Sequence, residues 1–378
     1  MKKLLHNYLP AHFRSPLKLA GRLIRTRDSA AMYAMAVAGM GLAASPLDWG
    51  LSWIERRKYR QAPAGTHPLL FICGAPRSGT TVVHQTLAAE LPVTVFTNVV
   101  NIFPRAPLVA TRTLRRLVER PHRTLHSFYG RTAGLGGLND ALPLWDRYIG
   151  HERTAEPRLR DDQLAHDMRQ FFGAWTHAYD RPLISKCNRL NAVAGDVADA
   201  APEATFICML RSPLWQAQSL YDARRMIHGR LSQPYGLAPR ASWDADDPVE
   251  SVCQQVLYHH NTALAQLQRI GPERFWLVSY EAFCAAPGRL IARAAARLAI
   301  EPRTPEPERL PPLRVRNVAR IDPDVLDRME SRLTEMGLVG RNGDVARFDV
   351  QNATPTHPHA MAEADRLAVR TATRPSDA

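Results

Sequence analysis

A chain of 378 residues can bury one large core, alone or with a small appendage. Its five cysteines, Cys73, Cys187, Cys208, Cys253 and Cys284, show neither metal-ligand spacing nor a disulfide framework, and Cys73 and Cys208, in expected core strands, read as small buried hydrophobes in a reducing compartment. The formal net charge of +13 would suit nucleic acid, a membrane or an acidic substrate, but residues 1–60 hold eleven Lys/Arg against three acids, and no aromatic-basic stacking pattern accompanies them, so nucleic acid is excluded as a partner.

In chain order, the first feature is an uncharged, Ala/Gly/Met-rich run at 29–47 between basic flanks, followed by Trp49, Leu51, Trp53 and Ile54. The run approaches the ~20 residues that span a bilayer. Pro46 and Asp48 interrupt its end, however, and basic flanks on both sides conflict with a single crossing. Residues 1–66 are therefore expected to lie on, or dip into, an anionic membrane surface, which places the protein at the cytoplasmic face of a membrane as a peripheral component. A helical subdomain packed on the main core is the alternative. A cleaved leader is disfavoured, because the apolar stretch begins only after 28 residues. The main domain is expected over 67–347, and 348–378 reads as a disordered tail with little apolar periodicity.

The run 69–73 reads as a short buried strand, and 80–90 as an amphipathic helix. Between them lies Cys73-Gly74-Ala75-Pro76-Arg77-Ser78-Gly79-Thr80-Thr81. Strand, Gly-bearing turn and helix N-terminus together make a phosphate cradle, because the freed helix N–H groups and the dipole favour an anion. The Gly-x4-Gly spacing from Gly74 to Gly79 is that of a nucleotide loop, yet Thr80 stands where an ATPase or kinase carries its Lys, and the cation comes earlier as Arg77. ATP hydrolysis is disfavoured.

Further strands are expected at 93–97, 183–185, 205–210 and 275–279, alternating with helices at 164–178 and 249–269. This pattern predicts an α/β fold with a mainly parallel sheet flanked by helices and ligands at the strand C-terminal ends. Strand 205–210 runs into Arg211-Ser212-Pro213, with Ser219 two helical turns on, so Arg211 and Ser219 can reach one anion. Residues 98–161 and 222–248, rich in Arg, Gly and Pro with weak periodicity, are candidates for acceptor-binding walls and a lid.

With both anion motifs in this order, the chain resembles the sulfotransferases that use 3′-phosphoadenosine-5′-phosphosulfate (PAPS). The resemblance covers roughly 69–300. It implies a P-loop-like sulfotransferase fold in which Arg77, Ser78, Gly79, Thr80 and Thr81 hold the 5′-phosphosulfate and Arg211 and Ser219 the 3′-phosphate. It also implies that Lys186, at the end of Ile184-Ser185-Lys186, is the active-site lysine, and that Tyr280 of Val278-Ser279-Tyr280-Glu281 lies near the adenine. PAPS is then the donor substrate, and no metal is required.

By analogy with phosphoryl transfer, positioning and electrostatics dominate such a reaction, with Arg77 and Lys186 stabilising charge on the sulfuryl and bridging oxygens. The general base is less legible. Asn188 stands two residues after Lys186, where related families carry a His, and an amide cannot serve. Asp140, in Gly136-Gly137-Leu138-Asn139-Asp140, resembles a loop acid of some bacterial members, and His84 is expected to face the same pocket one turn past Thr81. Asp140 is favoured, and Asp146 or Glu152 are further options. A hydroxyl of a glycan or lipid-linked sugar is the expected acceptor. The rival readings are a nucleotide-dependent kinase, which Thr80 opposes, and a non-catalytic basic protein of the membrane surface.

Overall fold

A computed structural model describes residues 16–59, 67–118, 127–128, 130 and 132–338. The tail expected from 348 onward, and Lys2, Lys3, Arg14 and Arg60 of the basic segment, lie outside the described residues. Five strands form one sheet in the order β2-β3-β1-β4-β5: β1 (Leu69–Gly74), β2 (Thr94–Val95), β3 (Leu183–Lys186), β4 (Ala204–Leu210) and β5 (Phe275–Ser279). Every pairing is parallel, so the expected fold class is observed.

The first half of the chain supplies helices α1 (Pro16–Thr26), α2 (Ser29–Tyr59), α3 (Thr80–Glu90), α4 (Asn98–Ile102), α5 (Pro107–Thr113), α6 (Arg115–Val118), α7 (Leu142–Ile149) and α8 (Asp162–Tyr179). The second half adds α9 (Leu190–Ala200), α10 (Pro213–Ala223), α11 (Arg240–Asp244), α12 (Pro248–Ile270), α13 (Tyr280–Ala285), α14 (Pro287–Leu298) and α15 (Pro323–Glu335).

The central strand explains the layering. β1 is buried along its whole length between β3 and β4, which is why its sequence is a continuous apolar run. Its odd residues, Leu69, Phe71 and Cys73, face a core with Trp145, Phe172 and Phe206, where Phe71 meets Trp145 edge-on at 5.2 Å. Its even residues, Leu70 and Ile72, face Val83, Leu87, Ile207 and Ile291. The strands on either side of β1 turn their connections in opposite directions, which opens a crevice at the carboxyl ends of β1, β3 and β4.

Two expectations are corrected. Residues 142–149 lie in a region read as irregular wall, yet α7 delivers Trp145, Tyr148 and Ile149 to the core. Its start carries no side-chain cap and rests on Ala141 in the left-handed region, so the usual start signal is absent. The apolar N-terminal run, expected to end near Pro46 and Asp48, belongs to a helix that continues through both to Tyr59. Asp48 does not break it because its carboxylate is turned inward and accepts from the backbone N–H of Arg105 and Ala106 at 3.0–3.1 Å. Seven residues and about two turns on, Glu55 accepts from the N–H of Leu108 and Val109 at 3.2 and 2.8 Å. Burial pushes the Glu55 carboxyl up to about 7, although these two N–H groups pull the other way.

Candidate active site

The cradle is built as its residues require. β1 ends on Gly74 at φ +130°, where a side chain would run into the carbonyl of Met209 on β4. Gly79, at φ +96°, lies so close to the Tyr280 ring that no β-carbon fits. Arg77 also sits in the left-handed region, at φ +73°, an arrangement costing about 1–2 kcal/mol for a residue with a side chain. Ser78 braces the turn from inside: its hydroxyl donates to the Ala75 carbonyl at 2.8 Å and its N–H to the same oxygen at 3.2 Å. Among the described residues, no side chain caps the N-terminus of α3.

At the end of β3, Lys186 is 2% exposed, and its Nζ lies 2.5 Å from the Asp140 carboxylate and 3.4 Å from the Thr81 hydroxyl. The loop that brings Asp140 there is held by a pair of amides. Asn98 donates to the carbonyls of Thr132 and Gly134, Asn139 donates to the Asn98 side chain at 2.6 Å, and the Asn139 side chain accepts from the Ala141 N–H. Thr80 donates to Asn188 at 3.0 Å, so the residue unable to act as a base serves to fix the cradle helix.

The second motif meets the first. Arg77 Nε donates to the Ser219 hydroxyl at 2.9 Å, and Arg211 Nη1 donates to the Arg77 carbonyl at 3.2 Å. Arg211 is aimed by Asn317, which accepts from its Nε and Nη2 at 3.1 and 2.8 Å and in turn donates to Glu281 at 2.9 Å. The guanidinium stands 5.1 Å from the centre of the Tyr280 ring. Burial pushes Arg211 below its ordinary value. Tyr280 and Glu281 oppose that shift, whereas the like charges of Arg77 and Arg320 add to it.

These groups surround one cavity of about 550 Å³. Arg77, Gly79, Thr80, Thr81, Asp140, Lys186, Arg211, Ser219 and Tyr280 all line it, and among the described residues six cations face two carboxylates, Asp140 and Asp222. The regions read as acceptor walls contribute Ser127, Gly130 and Asp140 from one and Asp222 and Tyr235 from the other. Arg314, Arg316 and Arg320 also line it, from an extended strap after the last strand that no sequence argument singled out. Three arginines within seven residues were the available signal. The strap is tied down by Arg211 to the Arg316 carbonyl, by Gln218 to Val318 and Arg320, and by the Leu313 N–H to the Cys284 carbonyl.

Four candidates fall elsewhere. His84 does not line the cavity: it is buried on the side of α3 that packs against the sheet with Val83 and Leu87, and it forms a backbone hydrogen bond with Ile184. Desolvation, with Lys186 adding to it, lowers its pKa to about 4, so the ring is neutral at pH 7. Ser78 is likewise internal to its turn rather than open to a ligand. Asp146 is buried between Arg153 and Arg189, at 2.7 and 2.8 Å, and is committed to holding α7 in place. Glu152 does not line the cavity either.

A parallel sheet with a helix N-terminus open at its central strand, a buried lysine and clustered arginines together make a cavity suited to an anionic group. The sequence model of the sulfotransferase family matches residues 68–304, more than half of the chain, and the protein belongs to that family. Solved structures similar to it include sulfotransferase STF9 from Mycobacterium avium, at 13% identity, a TM-score of 0.46, and coverage of 90% of this chain and 86% of that one. Sulfotransferase STF1 from Mycobacterium tuberculosis H37Rv aligns at 12% identity and a TM-score of 0.42, covering 85% and 88%. The sulfotransferase domain from the Synechococcus PCC 7002 olefin synthase aligns at 16% identity and a TM-score of 0.34, covering 83% and 98%. No curated protein matches the chain.

Proposed function

We propose that the protein moves a sulfuryl group from PAPS to a hydroxyl of a glycan or lipid-linked sugar. The observation that carries this reading is the contact between the two anion motifs: Arg77 bonds Ser219, and Arg211 bonds the Arg77 carbonyl, so one cavity wall offers binding groups for two separated phosphates. ATP lacks a 3′-phosphate for Arg211 and Ser219, and Thr80, in the lysine's usual place, has its hydroxyl engaged by Asn188.

In this reading the first-turn N–H groups of α3, that of Thr80 included, with the Thr81 hydroxyl and Arg77 bind the phosphosulfate, while Arg211 and Ser219 hold the 3′-phosphate. The acceptor oxygen attacks sulfur as the bond from sulfur to the bridging phosphate oxygen breaks. The hydroxyl proton passes to Asp140, and adenosine 3′,5′-bisphosphate leaves. Lys186 supplies charge to the bridging and sulfuryl oxygens. The Lys186–Asp140 pair gives the order of events a physical basis. The Asp140 carboxylate is occupied by the Lys186 ammonium, and a bound sulfuryl group that draws Lys186 toward itself frees Asp140 to accept the acceptor's proton. The polar lining from Asp222 and Tyr235 suits a hydroxyl-rich acceptor.

Calorimetric titration of adenosine 3′,5′-bisphosphate and ATP tests the reading. The bisphosphate is expected to bind tighter, and equal or stronger binding of ATP would overturn PAPS as the donor.

A further inference from the structure

A surface helix normally turns its apolar stripe to the core and its charges to water. Over its C-terminal half α2 does the reverse. Between residues 29 and 55 its only charged side chains are Asp48 and Glu55, and both are buried against the backbone of 105–109. Ser52 is buried on the same stripe. The opposite face carries Met32, Met40, Leu47, Trp53 and Ile54, with Leu47 58%, Trp53 67% and Ile54 51% exposed. Trp49, 56% exposed, stacks edge-on against Trp53 at 6.2 Å. Arginines frame this apolar face at both ends, Arg25 and Arg27 before it and Arg56 and Arg57 after it, all exposed.

We propose that this face of α2 docks flat on an anionic phospholipid bilayer. The helix is long and apolar enough to cross a membrane by length and composition, but crossing would pull Asp48 and Glu55 out of the hydrogen bonds that fasten it to the domain. It is also tied at its other end, where Arg22 of the preceding helix donates to the carbonyls of Met226 and Ile227 at 3.1 and 2.6 Å. A helix held along its polar side, with its apolar side outward and basic groups at both ends, matches the interfacial binding mode, in which apolar insertion and electrostatic attraction act together. Exposed tryptophans belong at that interface. A second copy of the chain is the less suitable occupant. Packed antiparallel, Arg56 and Arg57 of one copy would face Arg25 and Arg27 of the other; packed parallel, each arginine pair would meet itself.

Flotation of the full-length protein with vesicles tests the proposal independently of the donor. The protein is expected to float with vesicles containing phosphatidylglycerol, at least tenfold less with phosphatidylcholine alone, and less as salt rises. The Leu47→Glu/Trp53→Glu double variant should lose at least tenfold in partitioning while binding adenosine 3′,5′-bisphosphate as the unaltered protein does. Quenching of the unaltered protein's tryptophan fluorescence by vesicles with brominated acyl chains gives a second readout that needs no variant. Failure to float at low salt, absence of quenching, or equal flotation by the double variant would overturn the proposal. A dimer in sedimentation equilibrium that the double variant abolishes, with no vesicle binding, would assign the face to a second copy instead.

Discussion

Two helix N-termini in this molecule meet the same electrostatic problem and solve it differently. At 105–109, where α5 begins, four backbone N–H groups are satisfied from within by the carboxylates of Asp48 and Glu55. At the start of α3 no side-chain cap is supplied, and Gly79, Thr80 and Thr81 open onto a cavity rich in arginine. The freed donors of a helix start favour an anion in either case. Where the chain provides that anion itself, the result is architecture, a clamp joining the N-terminal helices to the domain. Where it withholds one, the open donors suit the anion of the proposed donor. Losses at the first end should therefore fall on stability, and losses at the second on ligand and turnover.

The largest effect is expected at the open end. Asp140→Asn should lower turnover by ~10²–10⁴-fold, the range general-base catalysis contributes, with donor affinity little changed. Slow hydrolysis of PAPS without acceptor, followed by release of the bisphosphate, should survive that change but fall ~100-fold in Lys186→Ala, which removes a preorganised donor. An Asp140→Asn enzyme of ordinary turnover would remove the carboxylate from the chemistry.

Arg211→Ala comes next. Removing one partner of a desolvated charge interaction costs about 2–5 kcal/mol, so bisphosphate affinity measured by calorimetry should fall by ~30-fold or more while the fold persists. Affinity within a few-fold of the unaltered protein would reduce Arg211 to a turn residue.

At the closed end, Asp48→Ala leaves the Arg105 and Ala106 N–H groups buried without an acceptor and should cost about 2–3 kcal/mol of unfolding free energy. The denaturant midpoint is expected to fall, with bisphosphate affinity intact. Loss of affinity without loss of stability would erase the distinction between the two ends.

The smallest effect is a pH slope. Glu55 titrates near 7 when folded against a reference of 4.5, so the native state holds a proton there that the unfolded chain has released. Its contribution to stability is full below 4.5, declines as pH rises to 7 and stays at the lower level above. His84, His228, His259 and His260, each lowered to about 4, act in the opposite sense, and their contributions disappear as pH falls from 6.5 to 4. Unfolding free energies of the unaltered protein and Glu55→Gln, measured side by side from pH 4.5 to 8, isolate the carboxyl: their difference should shrink by pH 7. A constant difference would mean that Glu55 is ionised throughout.

What could be read from the sequence was what short range determines. The strands after 69, 183, 204 and 275 were legible because a parallel strand buried on both faces is a plain apolar run, and the cradle because its turn, glycines and helix lie within nine residues. The groups that aim those elements were not legible. Asn317 aims Arg211, Asn98 and Asn139 aim Asp140, and Asp48 and Glu55 fasten α2, each through a contact far along the chain. His84 was misplaced for a related reason. Periodicity puts it on the helix that bears Thr81, but which side of α3 meets the sheet is decided by the packing of Val83 and Leu87.

The tie from Arg77 to Ser219 joins residues 142 positions apart, and that from Arg211 to Asn317 joins residues 106 apart. Synthesis proceeds from the N-terminus, so the cradle emerges from the ribosome long before the groups that complete it. A nascent chain halted before residue 317 carries the whole sheet and the lysine, yet lacks the amide that aims Arg211. On the proposed reading the anion site is therefore complete only once residues 316–317 have emerged, and a chain truncated before them is expected to bind adenosine 3′,5′-bisphosphate more weakly than the full chain.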